Sequence, residues 1–463
     1  MSLNFLRIGS VYLREGEKRL DASYYALAVR ARWELEKTRW PLRPLGEVAH
    51  IFYPGRFKRP YAPKGKGVPF VGSREMFFWP LQPRDFLYGT LGDWRNLMVK
   101  RGWVLVSRSG TVGQVLLVSR DFTNVAVTED AVRLESKNSG YIYAFLRSRY
   151  GRDLLQGYQF GAVIKHLEPE QIGSFLVPIL PEKLQERIHA KMLRALTLRE
   201  RGSCLLKKAQ RLLYGLLGLP DPDTLKPGYL PNPPGTKVPT FSVKRSELEE
   251  RLDGSYHLPE VKSLLRVLKA GKYPLAHLKD LTAYIHIPPR FKRHYVDPAK
   301  GVPFVRPSDL ATVRILERRY IAKWTPELDQ LRLHQGEVLI STDGAIGDMG
   351  YVTQSWDGWA GSNNIGRIKA SGEAHPGYLY AFLVSPYGQL QFKREIYGGV
   401  IDHLEEEHLA KVLIPKAPLE IQETIGKAVL QAFDLREKAN SLEEEAISEL
   451  EELIARGPRL KTL

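Results

Sequence analysis

The chain has 463 residues, of which 68 are Lys or Arg and 52 are Asp or Glu, so its formal net charge is +16. This length exceeds that of a single ordinary core, and a hydrophobic content of 43% excludes global disorder. The single cysteine excludes a disulfide framework and any zinc site built from several cysteines, while the positive charge favours a polyanionic partner. Because no segment approaches the about 18 to 20 apolar residues of a membrane span, and the N-terminus lacks the apolar region of a signal peptide, we expect a soluble, cytoplasmic protein.

Two copies of one unit make up most of the sequence. Arg56–Arg59 (Arg-Phe-Lys-Arg) recurs as Arg290–Arg293, and Lys66–Val71 recurs without change as Lys300–Val305, in both cases 234 residues later. Three further segments recur at offsets from 232 to 237 residues: Arg19–Tyr24 as Arg251–Tyr256, Ser107–Gly113 as Ser341–Gly347, and Tyr143–Leu146 as Tyr380–Leu383. A repeat of this size is a domain rather than a solenoid module, and the nearly constant offset indicates few insertions between the copies.

The same elements are predicted in the same order in each copy. Apolar runs on both sides of a Gly-rich turn predict a strand–turn–strand unit, at Trp103–Val118 in the first copy and Val338–Val352 in the second. A short helix with the sequence Tyr-Ala-Phe-Leu follows, then a stop that contains a proline, and then a long helix. The long helices are predicted from about Glu182 to Leu217 and from about Glu420 to Arg456.

These elements divide the chain into six predicted segments. Seven prolines among residues 218–240 indicate an extended linker between the copies. The segments are a globular domain at 1–180, a long helix at 181–217, the linker at 218–240, a second globular domain at 241–416, a second long helix at 417–457 and a tail at 458–463.

The two long helices are predicted to pair with each other. Both follow the alternating four- and three-residue spacing of a heptad seam, with Leu184, Ile188, Ala195, Leu198 and Leu205 in the first helix and Ile421, Ile425, Ala432, Leu435 and Leu442 in the second. At Lys191, which interrupts the first seam, Met192 is the alternative seam residue. Residues 182–217 carry nine Lys or Arg and three Glu, whereas residues 420–456 carry four Lys or Arg and ten Asp or Glu. These net charges of +6 and −6 favour pairing of the two helices with each other over self-pairing across chains. Because each unit is followed by its own equivalent helix, we expect the pair to be an antiparallel coiled coil; two independent surface helices are the alternative.

This duplicated order resembles the specificity subunits of type I restriction–modification systems. The resemblance is carried by the Arg-Leu-Asp-x-Ser-Tyr start of each copy, the Ser-x-x-Gly-x-x-Gly hairpin and the Gly-Tyr-[Ile/Leu]-Tyr-Ala-Phe-Leu helix. The Pro-x-x-x-x-Gln-x-x-Ile start of the long helices, at Pro181 and Pro418, is similar to that family as well. No single motif is highly specific, but their duplicated order covers nearly the whole chain. One departure is that Asp343 and Ala345 replace Ser109 and Thr111 of the first copy.

The resemblance implies an α/β fold in which two similar target-recognition domains are separated by the two long helices, with a pseudo-twofold internal repeat. It implies that each domain reads one half of a bipartite double-stranded DNA site, and that the chain itself is not an enzyme. The implied partners are methyltransferase (modification) subunits, which we expect to be two, and a restriction subunit that acts as translocase and nuclease. No cofactor is then expected in this chain, since S-adenosylmethionine belongs to the methyltransferase partner.

The repeated basic segments are the first candidate DNA contacts. They place three cations around one Phe: Arg56, Lys58 and Arg59 in the first copy, and Arg290, Lys292 and Arg293 in the second. Such cations neutralise phosphates, and the alternative is a solvated basic loop anchored by its Phe. Because domains that read different half-sites differ where they read, base readers are expected in segments that diverge between the copies, such as Arg74–Arg95 and Ser308–Arg332.

The Gly-rich turns are the second candidate. The predicted contacts are Arg108, Ser109 and Thr111 in the first copy and Ser341, Thr342 and Asp343 in the second, with Arg74 and Lys165 as further cations. A purely structural tight turn is an equally good interpretation. His166 and His403 occupy matching positions and are interpreted as capping or hydrogen-bonding residues, because no second ligand lies at zinc spacing.

No catalytic constellation emerges from the sequence. Asn232-Pro233-Pro234-Gly235 lacks the aromatic residue of a methyltransferase loop, and Cys204 is predicted to pack within a helix. Two other functions remain as alternatives. One is a stand-alone DNA-binding, architectural or regulatory protein without an enzyme partner, and the other is a nuclease with an unfamiliar site.

Overall fold

The computed structural model describes residues 21–56, 58–63, 65–89, 94–160, 166–225, 240–248, 251–398 and 402–456. The chain divides into two compact units: unit 1 contains Met1–Arg201 and Lys438–Leu463, and unit 2 contains Gly202–Glu437. Each unit therefore holds one copy of the repeat together with part of each long helix. Among the described helices, none combines the length and the apolar character that a membrane span requires. Lys165, most of the predicted linker and the predicted tail lie outside the described residues.

Unit 1 contains two four-stranded sheets and one two-stranded pair. Its described strands are β1 (Leu42–Pro44), β2 (His50–Phe52), β3 (Tyr61–Ala62), β4 (Val68–Val71), β5 (Asp85–Leu87), β6 (Val104–Ser107), β7 (Val115–Leu117), β8 (Ala126–Val127), β9 (Ala131–Glu135) and β10 (Leu176–Pro178). The first sheet has the order β2–β9–β6–β7 and the second β3–β5–β4–β8, in which β4 and β8 are parallel. Strands β1 and β10 form the antiparallel pair.

Helices cover the sheets of unit 1. A π-helical segment at Tyr24–Val29 leads into α1 (Arg30–Glu36), which is followed by α2 (Leu45–Val48), α3 (Ser139–Arg147), α4 (Arg149–Gly157), α5 (Pro169–Gly173) and the long α6 (Glu182–Leu217). The hydrophobic core joins Val104 of β6, Phe145 of α3 and Ile188 of α6, all of them fully buried.

Unit 2 repeats this organisation. Its strands are β11 (Leu275–His277), β12 (Thr282–His286), β13 (Gly301–Val305), β14 (Arg319–Ala322), β15 (Glu337–Ser341), β16 (Met349–Tyr351), β17 (Ala360–Gly361), β18 (Ile365–Ala370) and β19 (Leu413–Pro415). Its helices are α7 (Pro259–Lys269), α8 (Leu328–Leu331), α9 (Pro376–Val384), α10 (Pro386–Glu395), α11 (Glu406–Ala410) and the long α12 (Leu419–Ala455), which ends in unit 1. The sheet order β12–β18–β15–β16 corresponds to β2–β9–β6–β7, and β14–β13–β17 corresponds to β5–β4–β8 with the same parallel pair.

The predicted strand–turn–strand units and long helices are confirmed by these bounds. Strands β6 and β7 enclose the Gly-rich turn of unit 1, and β15 and β16 enclose that of unit 2. The proline-containing stops differ from the prediction, because Pro178 and Pro415 end the short strands β10 and β19, which pair with β1 and β11. Each of these pairs joins the beginning of its globular region to the residues that lead into its long helix.

The two long helices run antiparallel in unit 1. Lys191 of α6 lies 2.7 Å from Glu449 of α12, whereas Arg199, two turns further along α6, contacts Asn440 and Glu443, which lie earlier in α12. Contact positions that rise in one helix and fall in the other define an antiparallel pair. A coiled coil along the full length of both helices stays a prediction.

The residues buried along each long helix differ from the predicted seam. At about every second seam position, the buried residue is the one after the predicted residue. Ile188, Ala195, Ile425 and Ala432 of the predicted seam are fully buried. The other predicted members are half-buried: Leu184, Leu198, Leu205, Ile421, Leu435 and Leu442. Buried instead are the residues that follow five of them, namely Arg199, Leu206, Gln422, Arg436 and Glu443, and Met192 is buried where Lys191 is half-buried. The apolar pattern did not indicate these positions because three of them are charged.

The repeated Gly-Tyr motif attaches the short helix α3 or α9 to its long helix. The hydroxyl of Tyr141 donates to the carbonyl of Pro178 at 2.5 Å, and that of Tyr378 donates to the carbonyl of Pro415 at 2.6 Å. A Cβ added to the preceding residue, Gly140 or Gly377, would lie 2.8 or 2.4 Å from the backbone of the long helix. Only glycine permits this approach.

The repeated Arg-Leu-Asp-x-Ser-Tyr motif is a local clamp. Arg251 donates two hydrogen bonds to the carboxylate of Asp253 and two more to the carbonyls of Glu395 and Ile396, which fixes the segment to the end of α10. The hydroxyl of Ser255 donates to the same carboxylate. In unit 1, where Arg19 lies outside the described residues, Asp21 accepts the corresponding bond from Ser23.

Candidate nucleic-acid interface

The repeated basic segments expose two cations in unit 1 and three in unit 2, where Arg293 is exposed as well. Arg56 and Lys58 in unit 1 and Arg290 and Lys292 in unit 2 are exposed, and none of them forms an ion pair with another described residue. Phe291 is half-buried and packs edge-on against the ring of Phe304, as the anchor interpretation expects, whereas Phe57 lies outside the described residues. Four exposed cations without carboxylate partners are available to phosphates.

The last arginine of each segment is held by its own unit. Arg59 lies over the ring of Phe70 at 5.4 Å and donates to Thr128 at 3.2 Å and to Glu129 at 3.0 Å. Asp130 lies 3.5 Å from the same guanidinium. Burial disfavours the charge of Arg59, but its interactions with Glu129 and Tyr61 together outweigh this effect, so the pKa of Arg59 is raised. This guanidinium braces a loop of unit 1.

Arg293 makes the equivalent contacts in unit 2 with neutral partners. It lies over the ring of Phe304 at 5.9 Å and donates to the hydroxyl of Ser362 at 3.2 Å and to the amide oxygen of Asn363 at 3.0 Å. Every one of these residues stands 234 positions after its counterpart in unit 1. Both copies therefore use an arginine to brace the same loop, but the side chain that it binds is charged in unit 1 and neutral in unit 2.

The turn of the unit 1 hairpin carries a restrained arginine. Arg108 donates to Glu168 at 2.6 Å, lies 3.7 Å from Asp130, and stacks over the ring of Tyr53 at 5.2 Å. The hydrogen bond to Glu168 raises the pKa of Arg108. Held on three sides, the guanidinium has one orientation, which is the condition for specific contact with a base edge or a phosphate.

The hydroxyl groups of the same turn bond within the protein. The Oγ of Ser107 donates to the carbonyl of Ser109 at 3.2 Å and lies 3.1 Å from the Oγ1 of Thr111. Thr111 in turn donates to the carbonyl of Ser73 at 3.3 Å. Thr111 thus connects the hairpin to the loop after β4, and Ser109 contributes a backbone acceptor; both remain predictions as DNA contacts.

The unit 2 hairpin is arranged differently at its tip. Ser341 and Thr342 are buried, and the Oγ of Ser341 donates to the carbonyl of Asp343, as in unit 1. The carboxylate of Asp343 contacts the Nδ1 of His403 at 2.5 Å. His403 therefore bonds to the hairpin, which agrees with its interpretation as a hydrogen-bonding residue. In unit 1, whose hairpin has Ser109 in place of Asp343, the bond between Arg108 and Glu168 provides the link.

The divergent segments combine restrained arginines with exposed aromatic groups. In unit 1, the guanidinium groups of Arg74 and Arg84 both lie over the ring of Phe78, at 5.4 and 5.1 Å from its centre. In unit 2, Arg319 lies 3.0 Å from Glu317, and Trp324 is 62% exposed. An exposed tryptophan of this size is available to stack on or pack against a ligand.

One pair of buried arginines escaped the sequence analysis. Arg133 of β9 is fully buried and donates to the carbonyls of Val127, Thr128 and Ala131, the backbone of the loop that Arg59 braces. Burial lowers the pKa of Arg133 to about 10. Its counterpart in unit 2, Arg367, is equally buried but pairs with Glu337. The signal was present in the sequence, since both arginines interrupt apolar strands 234 residues apart.

The described residues offer no metal site. No group of three His, Cys, Asp or Glu side chains among them is arranged to hold a metal ion. Cys204 is exposed on α6, so its predicted packing role is wrong for its side chain, because the helix turns this position away from the buried line. After α6, Asp221 caps its own turn by accepting from the backbone N–H of Asp223, so this carboxylate has a local structural role.

Comparisons with known proteins find one family and several solved structures. Residues 240–452 match the family model described as "Type I restriction modification DNA specificity domain". The chain is also similar to the structure titled "Crystal structure of Type-I restriction-modification system S subunit from M. genitalium", with 11% identity over 90% of this chain and 96% of that chain and a TM-score of 0.34. A structure of the HsdS subunit from Thermoanaerobacter tengcongensis matches with 15% identity over 90% and 95% of the two chains and a TM-score of 0.28. No curated protein matches the sequence.

Proposed function

Because residues 240–452 belong to the family of type I restriction modification DNA specificity domains, we propose that the whole chain is the DNA-recognition subunit of a type I restriction–modification complex. Each of its two units reads one half of a bipartite double-stranded site. In this proposal the chain recognises DNA, and the chemistry is supplied by partner subunits.

The repeat supports the extension from the matched domain to unit 1. The brace formed by Arg293 and Phe304 lies inside residues 240–452, and Arg59 and Phe70 form the same brace 234 residues earlier. The sheets of the two units also share their strand order. Two domains built on one framework suit a DNA duplex, whose two strands are themselves related by twofold axes.

The arrangement of charges suggests how the units act on DNA. The exposed cations Arg56, Lys58, Arg290 and Lys292 contact phosphates and contribute affinity that does not depend on sequence. The restrained side chains around the hairpins, among them Arg108, are held in single orientations and contribute specificity. Lys165, which the structure does not describe, stays a predicted contact in this proposal, whereas the side chains of Ser341 and Thr342 are buried within unit 2 and support the hairpin.

The proposed partners are double-stranded DNA, two methyltransferase subunits and a restriction subunit. S-adenosylmethionine is bound by the methyltransferase, and the recognition subunit needs no cofactor of its own. The long helices are the proposed spacer between the two recognition domains. We expect the assembled complex in the cytoplasm.

The test is to co-express the full chain with the methyltransferase subunits of its own genome and to map every methylated base in the host DNA. We expect methylation at one bipartite sequence, in which two short half-sites are separated by a constant number of bases. A matched variant, Arg290→Ala with Lys292→Ala, is expected to reduce methylation without changing the sequence. Palindromic or scattered methylation, or methylation that does not depend on this chain, would overturn the proposal.

A further inference from the structure

Two loops of identical construction differ in the chemistry of their side chains. In unit 1 the loop Thr128–Asp130 follows β8, and we call it the acidic loop because it contains Glu129 and Asp130. In unit 2 the loop Ser362–Asn364 follows β17, and we call it the amide loop because it contains Asn363 and Asn364. The loops are 234 residues apart and adjoin the hairpin of their unit.

Matched backbone hydrogen bonds hold both loops. The N–H of Thr128 donates to the carbonyl of Val71, and the N–H of Ser362 donates to that of Val305, each at 2.9 Å. On the other side, the hairpin residue Arg108 donates its N–H to the carbonyl of Asp130 at 2.8 Å. Its counterpart Thr342 donates to the carbonyl of Asn364 at 3.1 Å. Both ends of each loop are therefore fixed in the same way.

The interior of each loop is matched as well. The N–H of Asp130 donates to the Oγ1 of Thr128 at 3.2 Å, and the N–H of Asn364 donates to the Oγ of Ser362 at the same distance. From outside, Arg59 binds the acidic loop and Arg293 binds the amide loop through the same guanidinium nitrogen. With the backbone fixed equally, the difference between the loops lies in the side chains that they present.

Those side chains differ in what they can recognise. A carboxylate only accepts hydrogen bonds, whereas a carboxamide both donates and accepts. In the major groove, Asp and Glu accept from the N4 amino group of cytosine, and Asn pairs with the N6 and N7 of adenine. The side chain of Asp130 is 30% exposed, and Asn363 and Asn364 are half-exposed. All three therefore have accessible surface beside their hairpin.

We propose that these loops are base-reading elements, such that the acidic loop selects a C·G pair in the half-site of unit 1 and the amide loop selects an A·T pair in the half-site of unit 2. The inference rests on the proposed function and adds the chemical class of base that each unit reads. A shared framework with exchanged side chains is the arrangement expected where two related domains read different sequences, since the framework sets the position and the side chains set the choice.

The experiment is a selection from a random-sequence duplex DNA library by the full chain assembled with the methyltransferase subunits of its own genome, followed by sequencing of the bound duplexes. The variant of the acidic loop combines Glu129→Gln with Asp130→Asn, which keep the volume of the side chains and acceptors for Arg59. We expect it to change the preference for C·G at one position by about tenfold, in one half-site only. The control is Glu423→Gln, an exposed substitution on α12, which is expected to select the wild-type sequence.

The reciprocal variant combines Asn363→Asp with Asn364→Asp. It is expected to reduce the preference for A·T by about tenfold in the other half-site and to leave the first unchanged. Because it acts on the second unit, it tests the inference even if the acidic-loop variant does not fold, which melting curves will reveal.

The outcomes separate the two proposals. If the wild-type chain selects no bipartite sequence, the proposed function fails and the loop inference fails with it. If the wild type selects two half-sites and a folded loop variant retains both base preferences, the loops are only braces, and the inference alone is overturned. A change confined to the half-site of the altered unit supports it.

Discussion

In unit 1 the guanidinium of Arg199 donates to both carboxylate oxygens of Glu443, at 2.6 and 2.7 Å, between the two long helices. Both side chains are almost fully buried, with exposed fractions of 6% and 3%. Tyr143 and Arg147 of α3 donate to the same carboxylate, so the pair also attaches the globular region to the helices. Burial disfavours the charge of Arg199, but its interactions with Glu443 and Tyr143 together outweigh that effect and raise the pKa of the guanidinium.

Removing one partner of this pair is expected to destabilise unit 1 strongly. Glu443→Leu leaves the buried charge of Arg199 uncompensated, which costs about 3–5 kcal/mol in the free energy of unfolding. Arg199→Leu combined with Glu443→Leu is expected to recover part of this loss, because the most buried charge is removed and only the less buried Arg147 then lacks its carboxylate. Urea unfolding followed by circular dichroism measures both values.

The exposed pair Lys427–Glu423 on α12 provides the control for this experiment. Glu423→Gln is expected to change the free energy of unfolding by less than about 1 kcal/mol, since exposed ion pairs contribute little. Equal losses in Glu443→Leu and in the double variant would contradict the role of charge compensation.

The burial of Arg199 and Glu443 could not be predicted from the heptad spacing of the long helices. Heptad spacing identified Ile188, Ala195, Ile425 and Ala432, because apolar side chains at these positions have no other way to leave water. It placed the second line on Leu198 and Leu442, whereas the buried residues are Arg199 and Glu443. Each of these charged side chains is buried only because the other is present. Heptad spacing considers one residue at a time, so it cannot predict the burial of such a pair.

A similar distinction applies to the candidate interface. The repeat identified Arg56–Arg59 and Arg290–Arg293 together, because recurrence marks a segment and not the function of each side chain. Only the structure separates the exposed Arg56 and Lys58 from Arg59, whose partners lie 69 to 71 residues away in sequence. The loops that hold Arg59 and Arg293 were not predicted as sites, since their sequences, Thr-Glu-Asp and Ser-Asn-Asn, look like ordinary turns.

Exposed cations are expected to control the salt dependence of DNA binding. Arg56→Ala with Lys58→Ala removes two phosphate contacts from unit 1, and each lost contact reduces the slope of log K against log salt by about 0.9. Affinity should fall equally for all duplexes, while the selected sequence stays the same. Binding measured by fluorescence anisotropy from low to high salt gives the slope. Lys427→Ala on α12 is the control, and an altered base preference in the double variant would argue against phosphate contact.

The hydroxyl groups of Tyr141 and Tyr378 are expected to contribute equally to the free energy of unfolding. Tyr141→Phe and Tyr378→Phe each leave a proline carbonyl without its donor, and an unsatisfied buried group costs about 1–3 kcal/mol. Thermal unfolding of each variant measures the loss. Tyr88→Phe, at a position that is 38% exposed, is expected to change little. If only one of the two variants lost stability, the hydrogen bond from tyrosine to the proline carbonyl would not contribute equally in the two units.

Acid is expected to weaken the clamp at the start of unit 2. The hydrogen bonds from Arg251 lower the pKa of Asp253 from 3.8 to about 2. Its contribution to stability is therefore fully present above about pH 4 and is lost as the pH falls through 2. The difference in stability between the wild type and Asp253→Asn, measured by urea unfolding at several pH values, should be constant from pH 7 to 4 and shrink below it. A difference that stays constant down to pH 2 would exclude the ionised carboxylate as its cause.

Substitution by alanine is expected to destabilise the protein at the two glycines that contact a long helix, and to stabilise it at a glycine with open space around it. In Gly377→Ala the new Cβ would lie 2.4 Å from the carbonyl of Gly426 on α12, and in Gly140→Ala it would lie 2.8 Å from that of His189 on α6. Both helices must then move apart, which costs about 1–3 kcal/mol. Gly215 of α6 has no atom within 4 Å of an added Cβ, so Gly215→Ala should stabilise the protein by about 0.5–1 kcal/mol. Thermal unfolding of the three variants tests the sign, and a stabilising Gly377→Ala would contradict the close approach of α9 to α12.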